Sequence, residues 1–157
     1  DQLAEMAKLG MIASFFVAHT WFWGDVHLKN FGARRAEKIS PAASALREGV
    51  VYTFHQDTPV IRPDMLFTVW CVVNRRTKAG AVLGPEERLS VPDALRGVTA
   101  NAAYQYFEEG WKGTIRAGKR ADLVVLDRSP LEVPAEELKD LRVLATIKAG
   151  KPLYRKE

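Results

Sequence analysis

The stretch VVYTFHQDTPV, residues 50–60, climbs as an apolar, β-rich run to His55 and Asp57 and stops at Pro59. An imidazole and a carboxylate together suit divalent-metal binding, since a neutral ring nitrogen and a carboxylate oxygen are ordinary Zn²⁺ ligands. A carboxylate beside an activated water can also take its proton. The other two of the three histidines, His19 and His27, lie in a second aromatic run, SFFVAHTWFWGDVH.

Side chains alternate along a strand, so the pattern puts Val51, Thr53, His55 and Asp57 on one face, about 6.5 Å from one to the next. By the same alternation Phe15, Val17 and His19 share a face of an earlier strand. Both strands are apolar on both sides, as in a parallel sheet covered by helices, where active sites gather at the carboxyl ends of the strands. A lone histidine on an apolar strand is more often a packed core residue. Two strands ending in metal-competent groups at one end of a sheet favour a site built on His19 and Asp57. A catalytic zinc takes three protein ligands and a water. His27 and His55 are the remaining candidates, and spacing alone does not choose between them. His55 contacts substrate or a bound water on one reading and is simply packed on the other.

The elements that would position these groups are read from periodicity and punctuation. QLAEMAKL reads as a helix closed by Gly10. MIASFFVA reads as a buried strand ending at His19, and residues 20–31 as an irregular aromatic loop. SPAASALREG reads as a helix with Ser40 as N-cap, Pro41 in first position and Gly49 at its end, before the strand 50–57. RPDMLFTVWCVVNRRT reads as a helix opened by Pro63 and Asp64. SVPDALRGVTANAAYQYF reads as another, capped by Ser90, with Tyr104, Phe107 and Trp111 packing its end onto the next module. Beyond Gly110 short alternating strands take over, with a core strand at Leu123–Leu126 and a hairpin turning at Ala149-Gly150-Lys151. A boundary near residue 112 separates an α/β segment, 1–111, from a small β module, 112–157.

Bulk composition limits the alternatives. A chain of 157 residues with 47% hydrophobic and 27% charged residues has the make-up of a globular protein able to bury a core. The net charge of +4 is spread along the chain without a run of like charges, and no basic stretch is interleaved with aromatics as in a nucleic-acid platform. No nucleic acid is expected as partner. The apolar stretch MIASFFVAHTWFW is too short to cross a bilayer, so no membrane is expected either, and a reducing, cytoplasmic setting is. The one cysteine, Cys71, sits in LFTVWCVV and reads as a buried structural thiol. Neither strand–helix junction carries a Gly-rich phosphate loop, which disfavours a nucleotide site.

ASFFVAHTWFWGDVH, FHQDTPV, VLGPEERLSVPDALRGVTANAAYQYFEE and KGTIRAGKRADLVVLDRSPLEV together resemble the carboxyl-terminal part of the metal-dependent amidohydrolase superfamily. The nearest branch is amidohydrolase family 3, with its formamide deformylase-like and exoenzyme-regulator-like members. The resemblance implies the last portion of a distorted (β/α)₈ TIM-type barrel, about strands six to eight, plus part of a small β-sandwich. It implies His19 as a metal ligand closing strand six, and Asp57 as metal ligand and catalytic base at the end of strand eight. Asp122 and Asp127 then read as structural. Trp21, Trp23, His27 and His55 would line the substrate pocket. The family's His-x-His pair, bridging Lys or Glu and further His lie outside this chain, and a full barrel takes about 250 residues.

The resemblance thus implies a hydrolase fragment acting on non-peptide C–N (amide) bonds of a small-molecule substrate, inactive alone. Its divalent metal, most naturally Zn²⁺, belongs to the full-length enzyme. The alternative is a non-catalytic, oligomerising or regulatory module, because open strand edges and half-barrel faces favour homo-oligomers. One tension stands: only 38 positions separate His19 from Asp57, although two strand–helix units would need nearer 60 at about 30 residues each. Strand seven must therefore be abbreviated near AEKISP.

Overall fold

The computed structural model describes residues 2–156. Helix α1 (Gln2–Lys8) ends as expected at Gly10, whose φ of 64° opens the left-handed cap. Gly10 N–H reaches Ala7 O and Met11 N–H reaches Met6 O, the two bonds of a Schellman motif. Strand β1 (Ile12–Phe15) comes next, and its partner β2 (Val51–Phe54) runs parallel to it in the register Ile12↔Val51 to Phe15↔Phe54. The His55 amide extends the ladder by one bond, to Phe15 O at 3.2 Å.

Two expectations about these strands are corrected. β1 stops at Phe15, not at His19: Val17 O accepts both the Thr20 amide and, at 2.8 Å, the Thr20 hydroxyl, which turns the chain into a helix. Residues 20–31 are accordingly not a loop, since α2 spans His19–Phe31. Aromatic residues are mediocre helix formers, and tertiary packing decides here. Trp21 sits 5.2 Å from the Trp70 ring and Phe22 5.9 Å from Phe67, while Gly24 leaves room for Thr77. The second strand likewise ends at Phe54, and Asp57 has a φ of 47°.

A strand near residues 37–41 is also absent. After the short α3 (Ala33–Ala36) the chain makes a turn, and β1 and β2 pair directly, which leaves no place for a strand between them. Ser40, expected as the N-cap of the next helix, has a φ of 45° and stands two residues before the start. α4 (Ala42–Arg47) is preceded by Pro41 without a side-chain cap.

α5 (Met65–Asn74) is the central core helix, opened by Asp64, whose carboxylate accepts from the Phe67 amide at 2.9 Å. Val69, Trp70, Cys71 and Val72 are all buried. The expected helix over 90–107 breaks at Thr99 into α6 (Val91–Val98), capped by Ser90, and α7 (Ala100–Gln105). The aromatic residues after that break do not pack as expected: Phe107 is 89% exposed, and Tyr104 and Trp111 are also exposed.

The β module is a three-stranded antiparallel sheet in the order β3 (Leu123–Leu126), β4 (Val143–Lys148), β5 (Lys151–Arg155). Its hairpin turns at Ala149 and Gly150, both at positive φ, the conformation that tight two-residue turns demand. Asp122 accepts the Ala149 amide, and Asp127 accepts the Arg142 amide and side chain, so both carboxylates brace this sheet. The 3₁₀ segment Ala135–Asp140 returns to α5: Trp70 Nε1 donates to Glu136 O and Asn74 to Ala135 O. Leu138 and Leu141 share one apolar core with β1, β2 and α5, so packing crosses the boundary expected near residue 112.

Candidate functional site

At the carboxyl end of the parallel pair, the Phe16 ring is a wedge with an aromatic group on several sides. His19 lies 4.6 Å from it, His55 5.5 Å and Trp23 6.0 Å, centroid to centroid. β2 delivers His55 directly, and the in–out alternation continues past the end of the strand. Gln56 turns inward, its amide donating to Asp64 O and to the Thr68 hydroxyl at 2.7 Å. His55 and Asp57 therefore emerge together, with His55 Nδ1 3.0 Å from Asp57 Oδ1, both partly exposed. A turn bond from the Val60 amide to Asp57 O, 2.7 Å, fixes the loop beyond.

α2 supplies the rest. Residues four apart share a helix face, and His19, Trp23, His27 and Phe31 form a ladder of rings: His19–Trp23 at 4.8 Å, and His27–Phe31 stacked at 5.4 Å. The rings of His19 and His27 are near-parallel, and His19 Nδ1 lies 3.3 Å from His27 Nε2, one ring donating to the other. Burial, with His27 next and His55 also contributing, holds the His19 pKa below its usual value, against the raising influence of Asp57. His19 is thus biased towards the neutral imidazole, the form that accepts protons and binds metals.

The structure brings together His19, Trp23, His27, His55 and Asp57. Trp21 is apart from them: half a helical turn away, it packs edge-on against Trp70 and Phe67 in the core. Phe16 was missed, because a strand running to His19 would have put it on the opposite face. The clue was local: a β-branched residue, Val17, gives way at once to Ala18 and Thr20, and a threonine hydroxyl readily bonds a backbone carbonyl three residues back.

Imidazoles and a carboxylate are the right donors for zinc, but their arrangement is not a completed metal centre. Among the described residues, no group of three or more His, Cys, Asp or Glu is placed to hold a metal ion. His19 is bonded to His27 and His55 to Asp57, as two pairs. A concavity of about 500 Å³ lies elsewhere, between α6–α7 and β3, bounded by Val98, Ala103, Tyr106, Lys112 and Ile115. No histidine lines it, so the chemistry argues for the Phe16 cluster over this hollow. Among the described residues no helix is long and apolar enough to cross a membrane.

Comparison with known proteins agrees with this fold. The amidohydrolase family model matches residues 1–154. N-substituted formamide deformylase of Arthrobacter pascens is 35% identical over 152 residues, 96% of this chain and 28% of that protein. Protein LONG AFTER FAR-RED 3 of Arabidopsis thaliana is 31% identical over 149 residues, 94% of this chain and 25% of that protein. An adenosine deaminase from Xanthomonas campestris with bound zinc superposes with a TM-score of 0.69 at 22% identity, over 96% of this chain and 34% of that one. A metal-dependent hydrolase from Pyrococcus horikoshii gives 0.73 at 24% identity, over 86% and 28%. The chain spans about a quarter of the length of the curated relatives it matches, and it belongs to the amidohydrolase family.

Proposed function

We propose that this chain is the carboxyl-terminal portion of a metal-dependent hydrolase acting on a non-peptide C–N bond of a small amide-type substrate, and that it is inactive alone. The observation that carries the reading is the Asp57–His55 pair beside His19, at the carboxyl end of two parallel strands, in a chain 35% identical to a formamide deformylase. Asp57 is read as the base that takes a proton from the attacking water, and His55, bonded to it, as the group that orients the carboxylate. Asp57 and His19 are read as this chain's contribution to a divalent-metal site, most naturally zinc, whose other ligands come from outside the chain. Such an ion would polarise the substrate carbonyl. Trp23 and His27 are read as aromatic lining for the substrate, each against the His19 ring.

Metal content and turnover test this. The chain alone should hold less than one zinc per molecule and leave N-substituted formamides intact. A longer polypeptide that restores the remaining ligands should bind zinc stoichiometrically and hydrolyse an amide-type substrate, and Asp57→Asn should abolish that hydrolysis. An Asp57→Asn variant of that polypeptide with undiminished turnover would refute the assignment of the base.

A second reading, an oligomerising module without catalysis, draws on the apolar surface this chain displays. Tyr106, Phe107 and Ile115 lie exposed in the segment that follows α7, and both sheets have open edges. Light scattering separates it from a simple monomer: a single species of 17.6 kDa rules that reading out.

A further inference from the structure

Arg75 is fully buried, yet the buried carboxylate near it, Glu87, is engaged elsewhere. It closes α5 in the left-handed conformation (φ 50°, ψ 43°), which a non-glycine residue adopts at a cost. Its guanidinium spends its donors on backbone carbonyls of two segments: Nε to Leu83 O at 2.7 Å, Nη1 to Ser40 O at 3.1 Å, Nη2 to Ile39 O at 2.8 Å and to Glu37 O at 3.4 Å. Burying a guanidinium without a carboxylate bonded to it is expensive, and an apolar residue would stabilise a core more cheaply. A fork of planar donors is the one side chain that fixes the relative place of several carbonyls at once.

The corner it holds, residues 37–40, is pinned from other sides as well. Gly84 passes so close that a Cβ there would stand 2.1 Å from Glu37 O. Glu87, itself fully buried, accepts the Ser44 amide at 2.8 Å and the Ser44 hydroxyl at 2.5 Å, anchoring the start of α4 just beyond the corner. From this corner the Ser40 hydroxyl reaches Phe16 O at 3.4 Å. That same carbonyl receives the His19 amide at 3.1 Å, and the Phe16 side chain is the wedge between His19 and His55.

We infer that Arg75 is a positioning residue for the candidate site: it fixes the 37–40 corner, and Ser40 carries that placement to the Phe16 carbonyl from which His19 hangs. The inference rests on the reading of His19 and His55 as site residues, and its test reads their geometry, not turnover. Failure of the test therefore leaves that reading standing.

The experiment records the imidazole carbon-bound proton resonances of His19 and His55 in the 157-residue chain, both of which feel the ring current of Phe16. Ser40→Ala removes the last bond of the path and touches nothing else, so the chain stays folded. Both histidine resonances move, while the Trp111 indole, outside the path, stays put. Arg75→Lys keeps the charge but loses the fork; it lowers the unfolding midpoint and moves the same two resonances in the same direction and further. If Arg75→Lys fails to fold, Arg75→Gln, which keeps a planar donor group, takes its place, and Ser40→Ala with unmoved resonances overturns the inference in either case. Folded variants whose His19 and His55 resonances coincide with those of the parent would overturn the inference, because a purely structural pin alters stability without moving the rings.

Discussion

Gly97 offers the sharpest test of how the strand that carries His55 is held. It lies in α6 against Phe54, the last residue of β2, and a Cβ at this position would stand 2.5, 3.0 and 3.2 Å from three carbons of the Phe54 ring. Phe54 is buried and leans on Tyr52, ring centroids 5.7 Å apart, so it has little room to swing. Overpacking of this kind costs about 1–3 kcal/mol, while replacing glycine by alanine inside a helix returns about 1 kcal/mol. Gly97→Ala should therefore destabilise the chain by about 1 kcal/mol net. The helix gain is independent of the neighbour and the clash is not. In a Phe54→Leu background the same substitution should become neutral or stabilising, a coupling of about 1–2 kcal/mol between two touching residues.

Urea unfolding followed by tryptophan fluorescence measures this, with slopes of about 1–3 kcal/mol per molar converting midpoints to free energies. Gly110→Ala is the control: nothing stands within 4 Å of its Cβ position, so it should be neutral or stabilise by up to about 1 kcal/mol. An equal cost of Gly97→Ala in both backgrounds, with coupling under about 0.5 kcal/mol, would refute the claim that α6 is seated on the Phe54 ring.

Partners and burial elsewhere in the chain set four more outcomes. Glu87→Ala strips the Ser44 amide and hydroxyl of a fully buried acceptor and should cost about 3 kcal/mol in the same urea assay, the range for breaking a buried charged network. Burial pushes the Tyr52 hydroxyl, which donates to Asp93 O, up to about 12 from 10.0. Because the folded value is the higher one, its contribution to stability is complete below pH 10 and is lost as pH rises through about 12. Tyrosinate absorbance should show a late phase that Tyr52→Phe removes. Burial also raises the Cys71 thiol well above its usual value, so it should resist a thiol-reactive disulfide reagent in buffer and react fully in denaturant. Asp64→Ala removes the cap of α5 and should lower stability by about 1 kcal/mol.

Some features were plain in the residues because their causes are local. The caps of α1, α5 and α6 were legible in Gly10, Asp64 and Ser90, whose side chains or φ angles satisfy nearby backbone groups. The hairpin at Ala149-Gly150 was legible for the same reason. What was hidden depends on distant partners. Residues 20–31 carry no clean helical period, since Trp21 and Phe22 face α5 while the His19–Trp23–His27 face is aromatic too. A helix apolar on several sides looks like no helix at all. Arg75 was invisible as a core residue because its partners, the carbonyls of Glu37, Ile39, Ser40 and Leu83, leave no pattern in side-chain identity. Phe107 erred the other way: its apolar type suggests burial, yet it is 89% exposed.

The direct pairing of β1 with β2 also resolves the spacing tension between His19 and Asp57. Thirty-eight positions are too few for two barrel units but ample for one of about 30 residues, and a ladder from Ile12↔Val51 to Phe15↔Phe54 makes the strands immediate neighbours. Neighbouring strands lie about 4.8 Å apart, whereas strands separated by another lie at twice that distance. The groups these two strands deliver are correspondingly close enough for Asp57 to act on the protonation of His19, and one Phe16 ring touches both His19 and His55. Adjacency of this kind couples the charge of one group to the protonation of the other. Two side-chain pairs, His55 with Asp57 and His19 with His27, are what the described residues assemble at this end of the strands.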